Sequence, residues 1–228
     1  MKKIVLLFAV FSITLSQAQN TFSVFHIKAK PGGERAIGAL FDDHFGDAKF
    51  KSGGVQLERV WIGDNEYTHR IVFFGELGKL GRVEGDTEKF EGSLFWERVD
   101  EYVEEWGISS SGRFLSYAGG TPADFPFIQI YDIKVANPAA FKAAHDKIVK
   151  QMGKIMGERP VAFGTYDIGG NGASHWVVVG SLDWEDAMQQ KVAIEKKQEE
   201  WAAYFKNRGP VEDKGNFSIN VIKSYGSL

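Results

Sequence analysis

The sequence predicts an α+β protein made of two consecutive βαββαβ units packed sheet to sheet. Three observations lead there. The stretches "NEYTHRIVFFGEL" (Asn65 to Leu77) and "NGASHWVVVGSLD" (Asn171 to Asp183) place a polar run, a hydroxyl residue, a histidine and an apolar strand in the same order. The offset of 106 between His69 and His175 also superposes Val55-Gln56-Leu57 on Val161-Ala162-Phe163, Ile62-Gly63 on Ile168-Gly169, and Phe22 to Lys28 on Ile128 to Lys134. Repeats of this kind are best sought before any local structure, because they set the architecture. Both halves, moreover, give the same order of strand and helix patterns.

In the first half, "FSVFHIKAK" is rich in aromatic and β-branched residues and stops at Pro31-Gly32-Gly33, as a strand does. Ile37, Leu40, Phe41 and Phe45 recur at spacings of three and four, which predicts an amphipathic helix from Glu34 to about His44. "GVQLERVWIG" and "YTHRIVFFGE" are two strands joined by Gly63-Asp64-Asn65-Glu66, a turn composition. Phe90, Leu94, Phe95, Val99, Tyr102, Val103 and Trp106 share one helical stripe, predicting a second helix over Thr87 to Glu105. "GRFLSYAG" closes the unit as a short strand.

The second half repeats the order. A strand covers Phe127 to Val135 and a helix Pro138 to Met152, with Pro138 suited to a first turn where its missing N–H is no loss. Hairpin strands follow at Val161 to Ile168 and Ser174 to Ser181. A helix runs from Trp184 to Phe205 behind Asp183, an N-cap with acid in the first turn, and "NFSINVIKSY" is the last strand. "AGGTPADFP" between the halves has the composition of a short linker, so the units are bounded at residues 19–120 and 121–228.

Residues 1–18 are expected to be a signal peptide. Two lysines precede an apolar run from Ile4 to Phe11 and a small-residue step at Ser16-Gln17-Ala18. The apolar run is shorter than the roughly 20 residues of a membrane span, and nothing later approaches that length. Export to the periplasm or the medium is therefore expected, leaving about 210 of the 228 residues, enough for one large or two small cores. The cleavage region has no cysteine for acylation, and with no cysteine anywhere the fold forms no disulfide. Net charge is −3 as written and −5 without Lys2 and Lys3, with no basic cluster, which argues against nucleic acid or an anionic membrane as partner.

The order βαββαβ is the split βαβ of the ferredoxin-like fold. Two such units in tandem, each with a histidine-bearing strand after a hairpin and with "GSLDWEDAMQ" leading into the last helix, resemble a fused version of the dimeric α/β-barrel superfamily, in the manner of antibiotic-biosynthesis-monooxygenase-like proteins. The resemblance spans almost the whole chain after residue 18 and rests on element order and duplication. It implies two ferredoxin-like repeats forming an intramolecular dimeric α/β-barrel with a small pocket in each unit. Since the duplication supplies both halves, a monomer or a weak homo-oligomer is expected.

Candidate site residues follow from strand periodicity, since alternate side chains share a face. Phe22, Val24, His26 and Lys28 form one such set, and Tyr67, His69, Ile71 and Phe73 another. Their counterparts are Ile128, Ile130, Asp132 and Lys134, and Ala173, His175, Val177 and Val179. Periodicity does not say which set turns inward. His26, His69 and His175 are candidate general bases, with Asp132 a candidate acid in the other pocket. Against this stands the plainer reading of His69 and His175 as hydrogen-bonded strand-end residues kept in both copies. Phe22, Val24, Trp61, Tyr67, Tyr131 and Trp176 are candidate pocket residues, while His44 and His145 are read as surface residues. Trp96, Trp106, Trp184 and Trp201 sit at apolar helical spacing and are read as core.

No HExxH, GxSxG, cysteine pair or calcium-loop spacing occurs, and the glycine-rich "YDIGGNGASH" lacks the phosphate-cradling pattern, so it is read as a hairpin. The resemblance implies a cofactor-independent monooxygenase or isomerase that acts on a small apolar or aromatic compound through a histidine base. Two alternatives stand beside it: an exported, non-catalytic binding protein for a small apolar ligand, and a haem-binding protein with His69 or His175 as axial ligand. No cofactor is expected on the first two readings.

Overall fold

A computed structural model of the protein describes residues 19–63, 66–83, 85 and 89–227. The expected signal peptide and Asp64-Asn65 of the first hairpin lie outside them, as do residues 87–88 of the predicted second helix. The first unit consists of β1 (Asn20–Ala29), α1 (Gly33–Phe45), β2 (Gly53–Gly63), β3 (His69–Glu76), α2 (Lys89–Asp100) and β4 (Val103–Ala118). The second consists of β5 (Phe127–Val135), α3 (Pro138–Gln151), the short α4 (Gly153–Met156), β6 (Val161–Ile168), β7 (His175–Ser181), α5 (Trp184–Glu195), α6 (Gln198–Asn207) and β8 (Val211–Ser227).

The strands form one closed barrel in the order β1-β3-β2-β8-β5-β7-β6-β4. Within each unit the order is β4-β1-β3-β2 or β8-β5-β7-β6, all antiparallel. The units meet through β2 with β8 (Leu57 opposite Lys223) and β4 with β6 (Gly112 opposite Tyr166). This is the dimeric α/β-barrel made by one chain. Closure pairs the edges that an open sheet leaves exposed. Among the described residues no helix is long and apolar enough to cross a membrane.

Two strands are much longer than their sequence patterns suggested. The stripe attributed to a helix over Thr87 to Glu105 is divided: α2 ends at Asp100, and β4 begins at Val103, with Trp106 opposite Ile27 and Glu105 opposite Lys28. Tyr102 lies in the turn, where its carbonyl accepts the Lys30 N–H at 2.9 Å. Each joining strand must pair with a neighbour from both units, and a strand of 16 or 17 residues, as in β4 and β8, provides that reach. The helix predicted over Trp184 to Phe205 likewise divides at Lys196-Lys197. The Ile194 carbonyl released there accepts hydrogen bonds from Lys197 N–H (2.9 Å) and the Trp201 indole (3.1 Å), which stabilises the break.

Strand periodicity now receives its direction. Phe22, Val24, Val72, Phe74, Ala162 and Trp176 pack inside the barrel, together with Ile128, Ile130 and Ile219. The alternate residues face the helices. In the first unit Ile27, Ile37, Phe41, Leu57, Ile71 and Val99 are all fully buried, a solid layer between sheet and helices.

Candidate functional site

The equivalent layer of the second unit is hollow. A cavity of about 700 Å³ opens between the sheet and helices α3, α5 and α6, within the size range of small-molecule sites. Ile133, Phe141, Ile148, Met152, Val177 and Trp201 are among its mainly apolar walls. One histidine, His145, is part of the lining.

His145 lies on the buried stripe of α3 with Phe141, Ala144 and Ile148, and it is only 4 % exposed. The expectation of a surface residue is thus corrected, and its spacing of four from Phe141 and three from Ile148 was the signal that it turns inward. Nδ1 lies 3.3 Å from both Asp146 Oδ1 and Ser116 Oγ. A carboxylate only accepts, so this contact selects the tautomer with hydrogen on Nδ1 and leaves a lone pair on Nε2. Nε2 is buried and has no hydrogen-bond partner. Burial holds the His145 pKa below the ordinary imidazole value, partly offset by Asp146, so the ring is neutral at pH 7. Burial works to raise the Asp146 pKa, but bonds from Lys142, His145 and Ser116 outweigh it and keep the carboxyl ionised.

The barrel interior holds a second polar group. Arg70 and Glu58, on adjacent strands, approach to 3.3 Å with side chains 10 % and 8 % exposed, yet Arg70 Nε and Glu58 Oε2 lack hydrogen-bond partners. The Tyr166 hydroxyl donates to Asp132 Oδ1 at 2.7 Å. His26 Nδ1 lies 3.1 Å from the Ile108 carbonyl. Arg70 and Tyr166 separate two cavities, one of about 140 Å³ with His26, Tyr67 and Asp132 in its lining and one of about 210 Å³ with Phe22, Phe114 and Trp176 in its walls. Burial drives the His26 pKa down to about 4, with Arg70 adding to the effect, and raises those of Glu58 and Asp132 against the pull of Arg70.

Of the residues singled out in the sequence, His26 and Asp132 come together in one cavity instead of occupying separate pockets. Phe22, Val24 and Trp176 lie in the barrel interior and Tyr67 at the His26 opening. Tyr131 is part of the helix-side cavity, whereas Trp61 is 49 % exposed on β2 with Arg59 over its ring. His69 and His175 are on the helix side of the sheet at strand starts. His69 places Nδ1 at 2.8 Å from Thr68 Oγ1 and Nε2 at 2.8 Å from Glu34 Oε2. His175 places Nδ1 at 2.8 Å from Ser174 Oγ and stacks on Phe163 at 5.2 Å. Arg70, Glu58 and Tyr166 were not singled out, although Glu58 and Arg70 share the alternate-residue pattern of buried strands.

The haem expectation fares differently at the two histidines. His69 does not fit an axial ligand, because both ring nitrogens are engaged, and His175 is outside the cavity lining; His145 is the histidine in that lining with an unpartnered nitrogen. Among the described residues no group of three or more histidine or acidic side chains is placed to hold a metal ion.

No protein-family model matches the chain, and comparison with curated proteins finds no match. Solved structures do share its fold. A candidate monooxygenase from Fusobacterium nucleatum is similar with a TM-score of 0.58 at 14 % identity, over 92 % of this chain and 97 % of the other. A candidate monooxygenase from Lactobacillus acidophilus has a TM-score of 0.58 at 10 % identity, over 92 % and 98 %. An anthrone oxidase-like protein has a TM-score of 0.53 at 9 % identity, over 93 % and 98 %. At these identities the likeness is one of fold.

Proposed function

We propose that the protein is a monooxygenase-like enzyme that binds a small hydroxylated aromatic compound in the helix-side cavity of its second unit, with His145 as the base. The observation that carries this reading is the neutral imidazole whose Nδ1 is held by Asp146 while Nε2 lacks a donor in a mainly apolar layer. An unpaired buried acceptor costs about 1–3 kcal/mol. A ligand hydroxyl or an activated C–H relieves that cost as the side chains covering Nε2 part on binding, since such geometry often tightens only in the complex.

In the proposed reaction Nε2 removes a proton from a carbon activated by the aromatic system. The carbanion forms a C–O bond to dioxygen, the peroxide regains the proton from the imidazolium, and loss of water leaves a ketone. One CH₂ group and one O₂ thus give one C=O and one H₂O. The monooxygenase and anthrone oxidase-like names among similar folds agree with this chemistry, and an apolar cavity with no oriented base would instead favour a passive binder. The N-terminal signal pattern supports action outside the cytoplasm, and closure of the barrel by one chain supports a monomer.

Oxygen uptake with anthrone and hydroxynaphthalene probes tests the reading. Uptake by the native protein that falls at least 100-fold in His145→Ala, with probe affinity kept, is the expected result. Saturable binding without oxygen uptake would make it a binding protein. The haem reading rests on the same free Nε2, and a Soret band after mixing with haem that His145→Ala abolishes would replace the oxygenase reading.

A further inference from the structure

The barrel interior is on the opposite face of the sheet from the His145 cavity, and the proposed oxygenase reaction makes no use of it. We propose that the 210 Å³ barrel cavity is a separate binding site for a small aromatic carboxylate, with Arg70 holding the carboxylate and the aromatic walls holding the ring. Three independent features support this assignment.

The first is shape. The cavity is walled by Phe22, Phe74, Phe114, Ile130, Trp176 and Val178, a surface suited to one aromatic ring. A cavity of about 150 Å³ lined by apolar side chains is already large enough for benzene, so 210 Å³ accommodates a ring with one substituent. The second is the floor. Arg70 carries its guanidinium into the barrel with its side chain only 10 % exposed, and its Nε–H has no acceptor. Glu58 lies 3.3 Å away but out of hydrogen-bond alignment, so the ion pair leaves a donor unused. A guanidinium matches a carboxylate with parallel N–H donors, a geometry that a single hydroxyl cannot satisfy.

The third is charge. The titratable groups that act on or with Arg70 are His26 on β1, Glu58 on β2, Asp132 on β5 and Tyr166 on β6, while Glu66, Tyr67 and Lys214 share the adjoining cavity and Tyr117 lines the 210 Å³ one. His26 is neutral, the Tyr166 hydroxyl donates a hydrogen bond to Asp132, and burial raises the Glu58 pKa against the pull of Arg70. An incoming carboxylate takes the place of Glu58 as the counter-charge of Arg70, with Glu58 binding a proton and remaining as a hydrogen-bond donor. Binding therefore takes up protons and weakens as pH rises.

The test is a ¹⁹F NMR titration of the full chain with 4-fluorobenzoate, using 4-fluorobenzyl alcohol as the neutral comparison. The native protein is expected to bind the carboxylate saturably and at least tenfold more tightly than the alcohol. Because removing Arg70 alone strands Glu58 in the barrel, the variant is the pair Arg70→Met with Glu58→Gln, expected to lose at least tenfold in carboxylate affinity while retaining its circular dichroism. Val178→Phe fills the cavity without altering a charge and is expected to abolish binding of both probes. Equal affinity for the two probes, undiminished binding by the paired variant, or absence of binding by the native protein would overturn the assignment. Binding that survives Val178→Phe but disappears in His145→Ala would place the probe in the helix-side cavity and also overturn it. Failure of oxygen uptake leaves this result unaffected, so the two sites are judged separately.

Discussion

Thr68 and Ser174 each bond to the ring of the histidine that follows them, at 2.8 Å in both cases, and each accepts the backbone N–H at the end of the first strand of its own unit. The acceptor distances are 2.8 Å from Ala29 N and 3.0 Å from Val135 N. The duplicated hydroxyl-histidine pair therefore locks the starts of β3 and β7 to the ends of β1 and β5. Removing the hydroxyl orphans a backbone donor, so Thr68→Val and Ser174→Ala should each lower stability by about 1–3 kcal/mol. The two losses should add, because the sites share no partner. Urea unfolding checks this, and changes within error for both variants would show that the pair is incidental.

Acid should weaken the fold through His26. Burial, then the charge of Arg70, holds its pKa at about 4, below the value of 6.5 expected in the unfolded chain. The unfolded state therefore binds the proton more readily, and stability present above pH 6.5 is lost as pH falls towards 4. The loss attributable to His26 is on the order of 2–3 kcal/mol. His44, His69, His145 and His175 are also lowered, chiefly by burial, and act in the same direction. Glu58 and Asp132 are raised and act oppositely, their penalty growing as pH rises. His26→Gln isolates the first effect: its unfolding free energy should vary less between pH 7 and 4.5 than that of the native protein.

The Arg70–Glu58 pair should respond asymmetrically to mutation. Either Arg70→Met or Glu58→Gln alone leaves a buried group without its partner, at a cost of about 3–5 kcal/mol where a charge is stranded. Changing both removes the stranded charge and should return stability to within about 1 kcal/mol of the native value. A double-mutant cycle measures the coupling; additive losses would mean that the two side chains do not interact.

Gly164 on β6 faces Trp176 on β7, and a Cβ there would stand 2.2 Å from the indole and 2.3 Å from the Arg113 carbonyl. The ring can move only by giving up its packing on Phe22 and Phe114, at 5.4 and 5.0 Å. Gly164→Ala is therefore expected to cost about 1–3 kcal/mol and to shift Trp176 fluorescence. An unchanged spectrum and midpoint would show that the indole has room to spare.

Much of the architecture could be read from the sequence because duplication supplies a second copy of every pattern. The hairpin whose second strand starts at His175 confirms the one whose second strand starts at His69, and the hairpins share a register. Boundaries failed where two periodicities coincide. Val99, Tyr102, Val103 and Trp106 satisfy helical spacing, but the need to pair β4 with both β1 and β6 draws the last two into a strand. Alternation also picked out His26 and Asp132 without indicating that the units bring both to one cavity. His145 was read as a surface residue because a lone helical histidine carries no repeat signal, and its partner Asp146 is its immediate neighbour in the chain. The Arg70–Glu58 contact depends on register between β2 and β3, where the two residues stand opposite each other.

The hollow layer of the second unit and the solid layer of the first have a consequence for how such a protein can change. In a symmetric pair of identical chains, every substitution that enlarges a pocket is made twice, and the loss of packing is doubled. Fusion removes that coupling. The first unit, with its fully buried Ile37, Phe41 and Leu57, can act as ballast while the helix-side layer of the second accumulates space. Hydrogen exchange should accordingly be slower in β2 and β3 than in α5 and α6, making the two halves of one barrel differ in rigidity despite their common pattern.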